Sequence, residues 1–205
     1  MTTIRPDLFV VDGSNIATEG RSTPSLEQLN EAIAAFSDER PGVKITVVVD
    51  ATFGHRISKS EAKQFDAAVA NNDIVTPPAG AVGRGDAFVL SVAHKANAGV
   101  LSNDSFQEFH GEYGWLFDEG RLVGGKPVPH VGWVFVARSP VRGPRSRQAV
   151  REAQEEGAVE SPAETKERAN RRVKKKAAVR RRGGSQADDT AADAPGEPAD
   201  APASE

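Results

Sequence analysis

Asp12, Asp86, Asp104 and Glu108 are four carboxylates that fall where an apolar run ends or a helical pattern begins. Leu8-Phe9-Val10-Val11 runs straight into Asp12-Gly13-Ser14-Asn15, and Gly99-Val100-Leu101-Ser102 runs into Asn103-Asp104. An apolar run bounded by turn residues reads as a buried strand of a parallel sheet. The carboxyl ends of such strands are where open α/β sheets build their sites, so Asp12 and Asp104 belong on one sheet edge. Asp86 opens a helix after Gly83-Arg84-Gly85, and Glu108 stands four residues beyond Asp104. On a helix that spacing puts both side chains on one face. Converging carboxylates repel and shift one another's pKa values unless a cation neutralises them. Mg²⁺ and Mn²⁺ favour oxygen ligands and keep several waters. An ion held this way can activate water and stabilise charge on a phosphoryl oxygen. Asn15 would bind a scissile phosphate or a metal-bound water, or else satisfy its own turn. Asp50, at the end of the Val43–Val49 run, is a candidate fifth member. Each aspartate alone reads equally as a helix cap; the recurrence along one edge points to a site.

The elements that must position these residues follow from periodicity. The apolar runs predict strands at Leu8–Val11, Val43–Val49, Asp73–Thr76, Gly99–Ser102 and Val131–Val136. Ser25, with Gln28 three residues on, caps a helix carrying Leu26, Leu29, Ile33 and Phe36 at helical spacing. Further helices are predicted over Ser58–Ala70 and Ala87–Ala96, with a short one after Asp104 through Phe109. Trp115-Leu116-Phe117 reads as another strand or a turn. Strand and helix thus alternate, which predicts a mostly parallel sheet with helices on both faces and right-handed crossovers.

Composition divides the chain near residue 148. Residues 1–147 are expected to form one globular domain, 148–182 a basic, helix-favouring extension, and 183–205 a disordered acidic tail rich in Ala, Asp and Pro. The net charge of −3 conceals this asymmetry: ten Lys or Arg against two Glu lie between 164 and 182. Such a block suggests a polyanion partner. The stretch Lys166–Arg182 reads as an arm for nucleic-acid phosphates, with a solvated charged tail as the plainer alternative. There is no cysteine, which excludes disulfides and thiolate metal sites. No apolar run approaches membrane-spanning length, and the opening residues lack a signal-peptide core. A cytoplasmic protein is the simplest expectation.

Three stretches carry a resemblance: Val10-Val11-Asp12-Gly13-Ser14-Asn15-Ile16-Ala17, Gly85-Asp86-Ala87-Phe88, and Leu101-Ser102-Asn103-Asp104-Ser105-Phe106-Gln107-Glu108. Together they resemble the NYN branch of the PIN-like nucleases, and within it the Regnase-type (Zc3h12a-like) ribonuclease domain, over roughly residues 7 to 138. The resemblance implies a three-layer α/β/α PIN-like, Rossmann-like domain that cleaves RNA with Mg²⁺ or Mn²⁺. It implies that Asp12, Asp86 and Asp104 hold the ion, that Glu108 completes the acidic set, and that Asn15 assists. Ser14 and Asn103 match motif positions with polar support roles; Arg84 and Arg56 are candidate phosphate contacts. Water would be the nucleophile and a 5′-phosphate the product. Three departures stand out. Glu108 replaces the usual aspartate, Gly85 occupies the first place of a paired acid, and Arg84 is the only charge in the loop between Pro77 and Gly85. Two other readings remain open: an RNA-binding module without turnover, relying on its basic tail, and a DNA-directed PIN-like nuclease. Relatives with this fold often pair, so a homodimer is a further expectation.

Overall fold

In the computed structural model, which describes residues 7–78 and 85–159, strand β1 (Leu8–Asp12) lies inside a six-stranded sheet. It pairs in parallel with β2 (Lys44–Val48) on one side and β4 (Gly99–Leu101) on the other. β3 (Ile74–Val75) follows β2, again in parallel, and closes that edge. On the other side β5 (Leu122–Val128) runs parallel to β4, and β6 (Gly132–Arg138) returns antiparallel to it. The strand order is therefore β3-β2-β1-β4-β5-β6. The chain leaves β1 in one direction and later re-enters beside it in the other. That reversal opens a crevice beyond the carboxyl ends of β1 and β4.

The period of two along β1 divides the interior. Phe9 and Val11 point into one core with Leu29, Phe36 and Phe65; Val10 points into the other with Val89, Leu90 and Leu116. The first core is built by α1 (Gly13–Thr18), α2 (Leu26–Glu39), α3 (Phe53–Arg56) and α4 (Ala62–Ala70). The second is built chiefly by α5 (Gly85–Lys95). The three-layer α/β/α architecture is thus present. Ser25 caps α2 as expected, accepting from the Gln28 amide at 3.2 Å.

Three expectations differ from the structure. The strand β5 carries Gly124, Gly125 and Pro127, residues that ordinarily argue against a strand. They are tolerated because neighbours fill the missing volume: a Cβ on Gly125 would lie 2.8 Å from the Phe135 ring. Of the two alternatives for Trp115–Phe117 the turn is the one formed, as the 3-10 turn Gly114–Phe117. The helix expected after Asp104 is only the 3-10 turn Gln107–Phe109, so Asp104 and Glu108 do not share a helix. The last helix, α6 (Pro144–Val159), crosses the expected domain limit at 147, and the compact unit extends to Gly157. The expected arm at 166–182 and the acidic tail at 183–205 lie outside the described residues. Among the described residues no helix is long and apolar enough to cross a membrane.

Candidate active site

The turn after β1 is tight because Gly13 packs against β2: a Cβ there would lie 2.7 Å from Val49 Cγ1 and 3.0 Å from the Val48 carbonyl. This sets α1 directly on the strand end and places Asp12 and Ser14 in the wall of the crevice. Asp12 caps α1, its Oδ1 accepting from the Asn15 amide at 3.2 Å. The capping reading therefore holds for Asp12, and its second oxygen is left for other partners. Its Oδ2 accepts from the Ser102 hydroxyl at 2.8 Å, which ties the end of β1 to the end of β4. Asp12 is only 4% exposed. Burial raises its pKa to about 7, with the charges of Asp86 and Asp104 acting in the same direction and the Ser102 and Asn15 hydrogen bonds opposing.

Asp12 lines the first of two cavities, and Asp86 lines both. The first, about 240 Å³, is also lined by Ser14, Asp50 and Gly85. The second is lined by Asp104, Glu108, Phe109 and Arg145. Among the described residues no three His, Asp or Glu side chains close around a single point to cage an ion. The donors are all oxygens, spread along the walls. That suits a hard cation bound through one or two carboxylates with waters and phosphate oxygens completing its shell. Water occupies about 30 Å³ each in the liquid, so the first cavity has room for an ion with several waters. The residues fit Mg²⁺ or Mn²⁺ in that open manner.

Asp50 joins the first cavity. Burial alone would raise its pKa. Hydrogen bonds from Thr52 and Ser14 and the charge of Arg56 outweigh that effect and leave the carboxyl below its ordinary value. Arg56 Nη1 stands 3.5 Å from Asp50 Oδ2, at the outer edge of the group. Gly85 explains one departure from the family pattern: a Cβ there would lie 3.1 Å from Asp50 Cβ, so Asp50 already fills the space.

The expected support residues divide by how their polar atoms are used. Asn103 is consumed inside the protein. Its Nδ2 donates to Glu19 Oε2 at 2.9 Å and to the Gly125 carbonyl at 2.7 Å, while its Oδ1 accepts from the Gly125 amide at 3.1 Å. It clips the acidic loop to β5. Asn15 Oδ1 accepts from the Asn103 amide at 2.9 Å, and Asn15 Nδ2 has no hydrogen-bond partner among the described residues. Ser14 Oγ accepts from the Asp50 amide at 2.8 Å. Asp104 Oδ1 accepts from the Phe106 amide at 2.6 Å and holds buried Phe106 in the left-handed region at φ 49°. Local strain of this kind concentrates at functional loops. Arg84 lies outside the described residues.

Sequence reasoning missed a set of residues downstream of the acidic loop. Arg138, at the end of β6, donates to the Ser102 carbonyl at 3.1 Å and to Ser105 Oγ at 3.0 Å. His110 is buried between Ser105 and Ser146, its Nε2 2.6 Å from the Ser105 carbonyl and its Nδ1 2.6 Å from Ser146 Oγ. A carbonyl can only accept, so Nε2 carries the hydrogen and Nδ1 takes the serine proton. Burial, mainly, lowers the His110 pKa and keeps the ring neutral. The one available signal was the density of arginines at 138, 142, 145 and 147.

The family model described as the Zc3h12a-like Ribonuclease NYN domain matches residues 6–120. No curated protein matches the chain. A crystal structure of nuclear proteinaceous RNase P 2 from Arabidopsis thaliana superposes with a TM-score of 0.48 at 17% identity, covering 65% of this chain and 30% of that one. A second structure of that protein gives a TM-score of 0.47 at 17% identity, covering 64% and 30%.

Proposed function

The chain belongs to the Zc3h12a-like ribonuclease NYN family, and from that premise we propose that it is a Mg²⁺- or Mn²⁺-dependent ribonuclease. It hydrolyses phosphodiester bonds of single-stranded or looped RNA in the crevice beyond β1 and β4. One observation carries this reading. Asp86 is the shared wall of two cavities, one holding Asp12 and the other Asp104 and Glu108. An RNA strand running past Asp86 would meet all four carboxylates, two cavities in succession.

Asp12 and Asp86, which line the first cavity together, would hold the ion directly, and Asp104 and Glu108 would help to position it from the second. The bound ion supplies positive charge where the phosphoryl oxygens gain negative charge. Asn15 donates from its unpartnered Nδ2 to a phosphate oxygen. Asn103 and Ser102 act indirectly: they fix Asn15 and Asp12 through the hydrogen bonds that join the two strand ends. Arg56, on the rim, meets the RNA backbone. Water adds to phosphorus as the bond to the 3′ oxygen breaks, so the downstream product keeps a 5′-phosphate. The tail from Lys166 to Arg182 adds phosphate contacts without sequence preference.

The test is cleavage of an end-labelled single-stranded RNA with Mg²⁺ or Mn²⁺, beside EDTA, a matched DNA and the Asp12→Asn variant. Cutting of RNA that EDTA abolishes, and that Asp12→Asn lowers by about 100-fold or more, is the expected result. Absence of cutting with every divalent ion, while the RNA still binds, would overturn the reading.

A further inference from the structure

The second cavity has a residue that the acidic motif does not account for. Arg145 lines it together with Asp86, Asp104 and Glu108. It comes from the first turn of α6, beyond residue 120, where the family match ends. Three carboxylates repel a phosphodiester, and Arg145 is the only cation among the described residues that line this cavity. The neighbouring arginines are committed elsewhere. Arg138 donates to the Ser102 carbonyl and Ser105 Oγ, and Arg142 stacks over Phe117 with its Cζ 3.8 Å from the ring centroid. Arg145 is exposed and makes no hydrogen bond or ion pair with a described residue. Its fork of donors is available for a phosphate without loss of an internal contact.

Position matters as much as charge, and α6 is fixed to the acidic loop from both ends of that loop. Ser146, adjacent to Arg145, is 2% exposed and bonds to His110, which in turn bonds to the Ser105 carbonyl next to Asp104. At Gly111 the helix passes so near that a Cβ would lie 2.7 Å from Ala153 Cβ. These contacts hold the helix backbone that carries Arg145 against the acidic loop.

We propose that Arg145 binds the RNA phosphate adjoining the cleaved bond, which makes α6 part of the ribonuclease site. The inference rests on the ribonuclease reading above. It assigns the first cavity and Asp86 to the reacting phosphate and the second cavity to its neighbour along the strand.

The experiment uses the full chain. RNA affinity is measured by fluorescence anisotropy at several salt concentrations in the Asp12→Asn background, with and without Arg145→Ala, and cleavage kinetics are measured in Arg145→Ala, Arg145→Lys and Arg147→Ala. Arg147 is exposed on the same helix but does not line the cavity. Arg145→Ala is expected to weaken binding about three- to tenfold and to reduce the slope of log K against log salt by about 0.7, the share of one single-strand phosphate. KM should rise while kcat stays within about twofold. Arg145→Lys should recover most of the loss, and Arg147→Ala should match the wild type. Unchanged affinity and salt slope in Arg145→Ala would overturn the assignment, as would an equal loss in Arg147→Ala. If the wild type cuts RNA under those conditions, only the role of Arg145 has failed; if it cuts no RNA with any divalent ion, the ribonuclease reading has failed instead.

Discussion

At Asp12 the requirements of folding and chemistry oppose each other, because a carboxyl buried at the end of β1 ionises against the loss of its hydration. The sign of the effect follows from linkage. A folded-state pKa raised from 3.8 to about 7 gives a contribution that is whole below pH 4 and is lost as pH climbs to about 7. Asn in its place keeps both hydrogen-bond partners, since its oxygen can accept from the Asn15 amide and its nitrogen can donate to Ser102 Oγ. In EDTA, Asp12→Asn should melt several degrees above the wild type at pH 8, at roughly 2–4 °C for each kcal/mol relieved. Thermal melts should show that gap closing toward pH 4. A gap that does not change with pH would mean that ionisation of Asp12 is not its source. The carboxylates were legible in the sequence because each sits at a boundary that periodicity marks. Arg138 and Arg145 were not, since what brings them to the site is the antiparallel return of β6 and the docking of α6, neither of which leaves a local pattern.

Among the elements, the alternation of β-branched runs with helical spacing marked four parallel strands and the main helices, and their ends agree with the structure within a few residues. What escaped was β5, whose glycines are read locally as breakers but are required by tertiary contacts: a Cβ on Gly124 would lie 2.9 Å from Asn103 Oδ1 and 3.1 Å from Arg138 Cδ. The small residues of β5 make room for the clips that hold the acidic loop. Helix α6 depends on a similar close approach. Gly111 has no positive φ, so its replacement by alanine tests packing and not backbone conformation. Gly111→Ala is expected to cost about 1–3 kcal/mol, as overpacking does, and to lower the melting temperature accordingly. A melt within a degree of the wild type would show that α6 does not pack there.

For the whole molecule, the two cores on either side of the sheet and the docked α6 set the extent of the working unit. A chain ended at Gly157 should keep the wild-type melting temperature and kcat, while its RNA affinity falls and becomes less salt-dependent; unchanged affinity would remove the basic arm from the account. A chain ended at Gly120, the limit of the family match, retains all four carboxylates but loses β5, β6 and α6. No cleavage is expected from it, because Arg138 and the Gly125 backbone no longer hold Ser102 to Ser105 and Asn103. The central position of β1 therefore acquires a meaning in time. Asp12 is made early, yet the strands and helix that order its partners follow only after residue 120. A chain still being made thus holds its acidic residues before the contacts that order them exist.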